Sequence, residues 1–247
     1  MKSVDRELLD EQIEYYRARA PEYDEWFFRL GRYDRGEPHR RAWFSEVSQV
    51  ETALGEARSQ GRVLELACGT GLWTRHLAEM ATSVTAVDAS REALELNQRR
   101  VGSSKVHYVC ADLFDWEPGE TFDFIFFGFW LSHVPAERFD WFWSRVRGAL
   151  ATHGRAFFVD NARNPEIAAA NHQLPAVGSF VMERRLNDGR QFRVVKVFYE
   201  PAALQERLAR LGWRGFVRTS GKFFIYGSVE PTRPAAPHAA ETDGRTA

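Results

Sequence analysis

The chain has few cysteines, no long apolar run and almost no net charge, and each shortage argues against a class of protein. Cys68 and Cys110 are the two cysteines among 247 residues, so there is no disulfide framework, and no metal-ligand cluster surrounds them. The longest apolar run, residues 124–131, is too short to cross a bilayer, and the N-terminus lacks an apolar signal-peptide core. A formal net charge of −1 argues against a large basic surface for nucleic acid. We therefore expect a cytoplasmic monomer or homodimer that holds no metal and contacts neither membrane nor nucleic acid.

Beyond residue 61 the sequence alternates short apolar strands with helices. The predicted strands are 62–66, 83–87, 105–109, 122–127, 155–159, 215–219 and 222–228. The predicted helices are 72–80, 90–101, 135–150 and 201–211. Short apolar strands separated by helices are typical of a parallel sheet that is covered on both faces. The pattern predicts an α/β fold with a doubly wound, mostly parallel seven-stranded sheet whose last strand is antiparallel.

Other segments interrupt this alternation. Residues 5–30, with a break near Pro21, and residues 39–58 carry apolar side chains at helical spacing. Two β-rich runs, 178–186 and 190–199, flank Asn187-Asp188-Gly189, which predicts a hairpin with a three-residue loop.

These features divide the chain into three parts. Residues 1–60 form a helical N-terminal region, and residues 61–228 form the core. The hairpin is an insertion into that core at about 161–199, which also holds a short helical stretch at 165–171. Residues 229–247 are rich in Pro, Ala and polar side chains, so we expect them to be disordered.

The strongest motif is the run Glu65-Leu66-Ala67-Cys68-Gly69-Thr70-Gly71, where a buried strand passes through small residues into a helix. Small residues let the backbone approach a ligand closely. Ligands of a doubly wound sheet bind beyond the carboxyl ends of its strands, and Asp88 ends the next strand, where a carboxylate can bind a ribose diol. Taken singly, the turn is weak evidence and Asp88 could cap a helix. Together they indicate a ligand that contains a nucleoside.

A dinucleotide is the main alternative ligand for this motif. Its fingerprint needs a third glycine where this chain has Thr74. Glu65 would also repel a pyrophosphate and attract a cationic amino group. The residues therefore disfavour a nicotinamide oxidoreductase.

The order of these motifs resembles the class I S-adenosylmethionine-dependent methyltransferases over about residues 10–228. Residues 65–71 look like the family's first motif, with Ala67 in place of its first glycine. The resemblance implies a Rossmann-like fold, S-adenosylmethionine as cofactor and S-adenosylhomocysteine as product. It places Glu65 and Gly69 near the methionine, Asp88 at the ribose and Asp112 at the adenine amino group. The cofactor-binding residues that it implies are Tyr16, Glu65, Ala67, Gly69, Gly71, Asp88, Ala89, Asp112, Leu113, Phe127 and Gly128.

Several stretches look more narrowly like the phosphonate O-methyltransferase of the dehydrophos pathway and its actinobacterial relatives. These stretches are 15–20, 22–24, 72–77, 112–116, 130–135 and 188–198. The N-terminal helix of such enzymes is a lid over the methionine end of the cofactor, which suggests this role for Tyr16 and Tyr23. The chain departs from them by extra residues at 31–38 and by a longer stretch at 161–177.

The hairpin gives an independent indication of the acceptor. The second run has an apolar face interrupted by Lys196, and a three-residue loop would place Arg184 opposite Phe192 on that same face. Buried charge is costly unless it is paired, so two cations there suggest an anionic substrate. Alternatively, Lys196 extends into water or pairs with Glu183 or Glu200.

Three further residues are candidates near the methyl-transfer centre. His133 follows the fourth strand and is a candidate catalytic base or hydrogen-bond donor, or it only supports its loop. Phe129 and Tyr33 are candidate substrate-binding residues, together with Tyr23. The sequence predicts methylation of a small-molecule metabolite, as in secondary metabolism, with O-methylation of a phosphonate or carboxylate ranked first. The alternatives are N- or O-methylation of a neutral secondary metabolite, and a protein that binds the cofactor without transferring methyl groups.

Overall fold

The described residues of this computed structural model, 6–57, 60–169, 172, 174–176 and 178–232, form nine strands and seven α-helices. The strands are β1 Arg62–Leu66, β2 Ser83–Asp88, β3 Val106–Cys110, β4 Phe122–Gly128, β5 Leu150–Asn161, β6 Val181–Arg185, β7 Gln191–Val195, β8 Trp213–Thr219 and β9 Phe224–Pro231. The helices are α1 Arg6–Arg19, α2 Tyr23–Phe28, α3 Glu37–Ala57, α4 Thr74–Met80, α5 Arg91–Val101, α6 Phe139–Ala149 and α7 Pro201–Arg210.

Seven of the strands form one sheet in the order β3-β2-β1-β4-β5-β9-β8. Strand β9 is antiparallel to both neighbours, and strands β1 to β5 pair in parallel. The predicted doubly wound sheet with one reversed strand is therefore confirmed. The strand order reverses between β1 and β4, so the loops that follow these strands diverge and leave a crevice at the carboxyl edge.

Strand β4 shows why the central strands read as continuous apolar runs. Phe124 and Phe126 pack into one cluster with Trp43 of α3. Ile125 and Phe127 pack into a second cluster on the opposite face, with Trp143 of α6 among its members. Successive side chains of a strand point to opposite faces, and both faces of this sheet are covered by helices.

Strands β6 and β7 form a separate two-stranded hairpin. Its register places Arg184 opposite Phe192, as the loop length predicts. Helix α1 packs on β7, and the backbone N–H of Val195 donates to Oε1 of Gln12 at 3.0 Å. The N-terminal helix α1 is thus docked on the hairpin.

Several boundaries differ from those predicted; strand β5, for example, spans residues 150–161 and not only 155–159. Strand β9 continues to Pro231 because its residues pair with β8, so residues 229–231 belong to the sheet and not to a disordered tail. Residues 233–247 lie outside the described part of the chain. The helical stretch expected at 165–171 is a single 3₁₀ turn, Pro165–Ile167, and residues 170 and 171 are not described. No described helix has the length and apolar character that crossing a membrane requires.

Candidate active site

An open cavity of about 770 Å³, a volume that includes the solvent space at its mouth, lies at the carboxyl edge of the sheet, where β1, β2, β3 and β4 end. Its lining includes eight of the eleven residues predicted to bind the cofactor: Tyr16, Ala67, Gly69, Asp88, Ala89, Asp112, Leu113 and Gly128. Three predicted substrate or catalytic residues, Tyr23, Phe129 and His133, also line it. The structure thus brings these predicted residues together around one cavity.

The turn after β1 owes its shape to three residues with positive φ. The φ angles are +54° at Ala67, +52° at Gly69 and +89° at Gly71. A Cβ on Gly69 would meet nothing within 4 Å, so this glycine faces open space in the cavity. A Cβ on Gly71 would lie 2.7 Å from Oδ1 of Asn97. Gly71 therefore provides close packing against α5 and does not line the cavity, contrary to its predicted cofactor role.

Phe127 is the second predicted cofactor residue that lies elsewhere. Its side chain is fully buried and stacks on Phe158 with ring centroids 5.7 Å apart. The alternation of β4 turns Phe127 to the face covered by α6, whereas Gly128 reaches the cavity.

Asp88 joins the turn after β1 to the end of β2. Its Oδ2 accepts from the backbone N–H of Gly69 at 2.9 Å, and its Oδ1 accepts from the N–H of Ser90 at 2.9 Å. Burial raises the pKa of Asp88, while these backbone donors oppose the rise. Each carboxylate oxygen has a second acceptor site, so Asp88 can still accept hydrogen bonds from a ligand.

Glu65 lies in β1, two residues before Ala67, and is not among the residues that line the cavity. Its side chain is buried, which raises the pKa of the carboxyl group to about 8; a hydrogen bond with Thr74 opposes the rise, and the charge of Asp88 adds to it. Within the described residues its Oε2 has no hydrogen-bond partner. The predicted contact of Glu65 with the methionine portion of a cofactor therefore stays a prediction. The carboxylate nevertheless retains a free acceptor oxygen.

Asp112 occupies the far end of the cavity beside Leu113. Its Oδ1 accepts from the backbone N–H of Phe114 at 2.9 Å, which fixes the carboxylate in the loop after β3. Its Oδ2 pairs with Arg6 of α1 at 3.3 Å. Helix α1 therefore contacts the cavity at Asp112 as well as at Tyr16.

His133 links α1 to the hairpin. Its Nδ1 lies 2.6 Å from the carbonyl oxygen of Val195, and because a carbonyl only accepts, Nδ1 carries the proton. Its Nε2 lies 2.7 Å from the hydroxyl of Tyr16. Burial lowers the pKa of His133 well below its usual value, and the charges of Lys196 and Arg184 lower it further. The neutral ring therefore accepts from Tyr16 and has no free nitrogen.

A second, smaller cavity adjoins the first. Its lining residues are Tyr16, Arg19, Tyr23, Trp26, Phe129, His133, Asn161, Arg184 and Lys196. It shares Tyr16, Tyr23, Phe129 and His133 with the larger cavity. A reactant here would lie directly beside a ligand in the larger cavity.

Lys196 is buried in this second cavity, with its side chain 1% exposed. Its Nζ lies 2.7 Å from Oγ of Ser132, 3.2 Å from Oδ1 of Asn161 and 3.4 Å from Oδ1 of Asp160. Burial lowers the pKa of Lys196 to about 8, against the opposing effect of Asp160. Both structural alternatives for Lys196 are therefore wrong. Its side chain does not extend into water, and its ion-pair partner is Asp160 and not Glu183 or Glu200.

Arg184 and Arg19 are the other cations of the second cavity. Among the described residues neither has a carboxylate within ion-pair distance, and the Nε of each is buried without a hydrogen-bond partner. Nη1 of Arg184 lies 3.5 Å from Nδ1 of His172, and burial and Arg184 lower the pKa of that histidine to about 4.

Arg19 was not predicted from the sequence as a site residue. It follows Leu8, Gln12 and Tyr15 on the buried face of α1, at spacings of three and four residues. A charged residue in phase with an apolar helix face was the signal that could have identified it. Tyr33, a predicted substrate residue, lines neither cavity; its hydroxyl instead accepts from Nη2 of Arg19 at 3.4 Å.

Comparison with known proteins identifies the family. The family described as "Methyltransferase domain" matches residues 63–154. The solved DhpI-SAH complex is 38% identical, with a TM-score of 0.74 and coverage of 94% of this chain and 100% of that chain. The DhpI-SAM-HEP complex is 39% identical, with a TM-score of 0.75 and coverage of 93% and 100%. The chain is a class I S-adenosylmethionine-dependent methyltransferase.

A curated relative supports the same family over a shorter stretch. The putative methyltransferase YqeM of Bacillus subtilis (strain 168) is 45% identical over 56 residues. That match spans 23% of this chain and 22% of the relative. The predicted enzyme class and cofactor are therefore confirmed, mainly by the similarity to DhpI, which covers more than 90% of this chain.

The cavity fits S-adenosylmethionine by two observations. The orphaned Oε2 of Glu65 provides a buried acceptor close to the turn that carries Gly69, and the open space at Gly69 leaves the backbone accessible. Carboxylates at the ends of β2 and β3, Asp88 and Asp112, can accept from hydroxyl and amino groups.

Proposed function

We propose that this methyltransferase O-methylates a small anionic acceptor, a phosphonate or a carboxylate, in the second cavity. The observation that carries the proposal is the placement of Arg19, Arg184 and Lys196 around one small cavity that shares a wall with the cofactor cavity. Asp160 pairs with Lys196. His133 in the cavity wall and His172 beside Arg184 are neutral because their pKa values are lowered. Two positive charges are left without a carboxylate among the described residues. Buried charge is costly unless paired, and an anionic acceptor would supply the pairing.

The similarity to DhpI supports the use of two adjoining cavities. DhpI has been solved as a complex with SAM and HEP together. We infer that this chain likewise holds its cofactor in the larger cavity and its acceptor in the smaller one.

We assign the cofactor contacts from the lining of the larger cavity. Ala67 and Gly69 would contact the methionine portion, whose ammonium group is a suitable donor to Glu65. Asp88 would accept from the ribose hydroxyls and Asp112 from the adenine amino group. The remaining assigned contacts are Tyr16, Ala89, Leu113 and Gly128.

The acceptor chemistry needs no general base. A bound S-adenosylmethionine supplies an electrophilic methyl group, and an ionised acceptor oxygen can attack it without losing a proton. Arg19 and Arg184 would bind and orient the anion, while Phe129 and Trp26 exclude water from one wall. His133 positions Tyr16 through the 2.7 Å hydrogen bond, and it does not accept a proton from the acceptor.

A matched substrate panel tests the proposal. The protein would be incubated with S-adenosylmethionine and a phosphonate, carboxylate, alcohol or amine built on the same small carbon skeleton, and release of S-adenosylhomocysteine would be measured. We expect turnover of the phosphonate or carboxylate and little turnover of the neutral alcohol and the amine. Faster turnover of either of these would refute the anionic acceptor, and cofactor binding without release across the panel would indicate a non-methylating protein.

Arg184→Gln provides the residue-level test. It removes one of the two charges that lack a carboxylate partner, so KM for the anionic acceptor should rise by about tenfold or more with a smaller change in kcat. Arg190→Gln is the matched control, because Arg190 lies on the same hairpin but is exposed and pairs with Asp188. Equal kinetic effects of the two variants would contradict the assignment.

A further inference from the structure

We propose that Arg19 couples acceptor binding to cofactor binding, because one rigid helix carries a guanidinium into the acceptor cavity and three side chains into the cofactor cavity. The inference rests on the proposed anionic acceptor. It identifies Arg19 as an acceptor-binding residue and α1 as the element that transmits the effect.

The surroundings of Arg19 suit an anionic ligand. The residue is 4% exposed, and its guanidinium lies over the rings of Tyr15 and Tyr23, with distances of 5.6 Å and 4.9 Å to the ring centroids. Among the described residues, Nη2 of Arg19 donates a hydrogen bond to the hydroxyl of Tyr33 at 3.4 Å. A guanidinium has five N–H donors, so this environment leaves most of them to a ligand.

Arg29 is a second buried guanidinium, and its terminal nitrogens are bonded within the protein. Nη1 and Nη2 of Arg29 donate to the backbone carbonyls of Trp26, Glu166 and Ile167 at 2.7–3.3 Å, while its Nε, like that of Arg19, has no partner among the described residues. Arg19 has no comparable set of carbonyl acceptors among the described residues and lines a cavity instead. The contrast points to recognition of an anion at Arg19.

Helix α1 connects the two cavities mechanically. Gln12, Ile13 and Tyr16 line the cofactor cavity, and Arg19, one turn beyond Tyr16, lines the acceptor cavity. An anion bound by Arg19 would hold the C-terminal end of α1 against the acceptor cavity and thereby hold the other three side chains in place around the cofactor. By linkage, each ligand must then tighten binding of the other by the same factor.

Calorimetric titration of S-adenosylhomocysteine into the full-length protein tests the coupling, without and with saturating methylphosphonate or acetate as the anion. In the wild type we expect the anion to tighten S-adenosylhomocysteine binding by about tenfold, within the usual range for coupled sites. In Arg19→Gln the factor should fall to about one, while the Kd measured without anion changes by less than about threefold.

Two variants separate this coupling from simple loss of charge. Arg184→Gln should weaken anion binding, yet the coupling should persist at anion concentrations that saturate the variant, because β6 carries Arg184 outside α1. Arg41→Gln removes a charge from the exposed surface of α3 and should change nothing. Arg19→Lys, which keeps the charge, should retain part of the coupling and serves if Arg19→Gln does not fold.

The outcomes distinguish the two proposals. If the wild type binds neither methylphosphonate nor acetate, both the anionic acceptor and the coupling are refuted. If an anion binds without affecting S-adenosylhomocysteine, or if the coupling persists in Arg19→Gln, the coupling role of Arg19 is refuted and the proposed acceptor class remains. Slower hydrogen exchange in α1 on anion binding to the wild-type cofactor complex would further support the inference, and unchanged exchange would count against it.

Discussion

Gly71 and Gly69 lie two residues apart in the turn after β1, yet alanine should affect them in different ways. Alanine at Gly71 must adopt a φ of +89°, and its Cβ would lie 2.7 Å from Oδ1 and 3.1 Å from Cα of Asn97. The backbone conformation costs about 1–2 kcal/mol, and the overpacking costs about 1–3 kcal/mol more. Gly71→Ala should therefore lose about 2–5 kcal/mol of unfolding free energy, a large share of a typical total.

Gly69→Ala has the same type of backbone cost without the steric clash. Its φ is +52° and its Cβ would meet nothing within 4 Å, so it should lose only about 1–2 kcal/mol. The added methyl group points into the cofactor cavity, however, and should weaken S-adenosylhomocysteine binding by about tenfold or more.

Urea unfolding followed by circular dichroism, together with calorimetric titration, measures both effects. Gly148→Ala in α6 is a suitable control, since its Cβ would have no close neighbour and alanine favours helix by about 1 kcal/mol. An unfolding free energy for Gly71→Ala equal to that of the wild type would refute the packing argument. Unchanged binding by Gly69→Ala would refute the assignment of the cavity to the cofactor.

Three further predictions follow from single residues. Ala67→Gly should raise the unfolding free energy by about 0.5–1 kcal/mol, because glycine removes the cost of a φ of +54° but loses more entropy on folding; urea unfolding would show it. Burial lowers the pKa of Lys196 to about 8 in the folded protein, against 10.5 in the unfolded chain. Between these two pH values the unfolded chain keeps the proton that the folded protein has lost, so the free energy of unfolding should increase as the pH rises from about 8 to 10.5. KM for an anionic acceptor should rise around pH 8, where the folded protein loses this charge, a pH dependence that Lys196→Met should lack. His133→Ala should reduce kcat only mildly, by less than about tenfold, whereas a collapse of single-turnover rates with intact binding would indicate a general base.

Local sequence patterns were sufficient to predict the sheet and to bring together most of the residues that line the larger cavity. The strand ends that carry Gly69, Asp88 and Gly128 could be located because parallel strands place their carboxyl ends at one edge. The hairpin register could be predicted because the loop Asn187-Asp188-Gly189 fixes which residues pair, and this placed Arg184 correctly.

The errors arose where a side chain's environment depends on distant segments. Phe127 and Gly128 are neighbours in β4, and only the covering of both sheet faces decides which of them reaches the cavity. Gly71 resembles a ligand-binding glycine in the motif, but its requirement comes from Asn97 on α5. Arg19 could not be identified from local patterns because the smaller cavity is assembled from helices, loops and the hairpin, which no local pattern brings together.

The three cations of the smaller cavity differ in how far the protein itself compensates their charges. Nζ of Lys196 has three N–H donors, and Ser132, Asn161 and Asp160 lie around it at hydrogen-bond distances. Asp160 also compensates its charge. Lys196 therefore contributes mainly to the field and the framework of the cavity, whereas Arg184 and Arg19 retain both uncompensated charge and free donors. If the acceptor is an anion, as proposed, its direct recognition would belong to the two arginines, one on the hairpin and one on the N-terminal helix, so the cavity is complete only when α1 is docked.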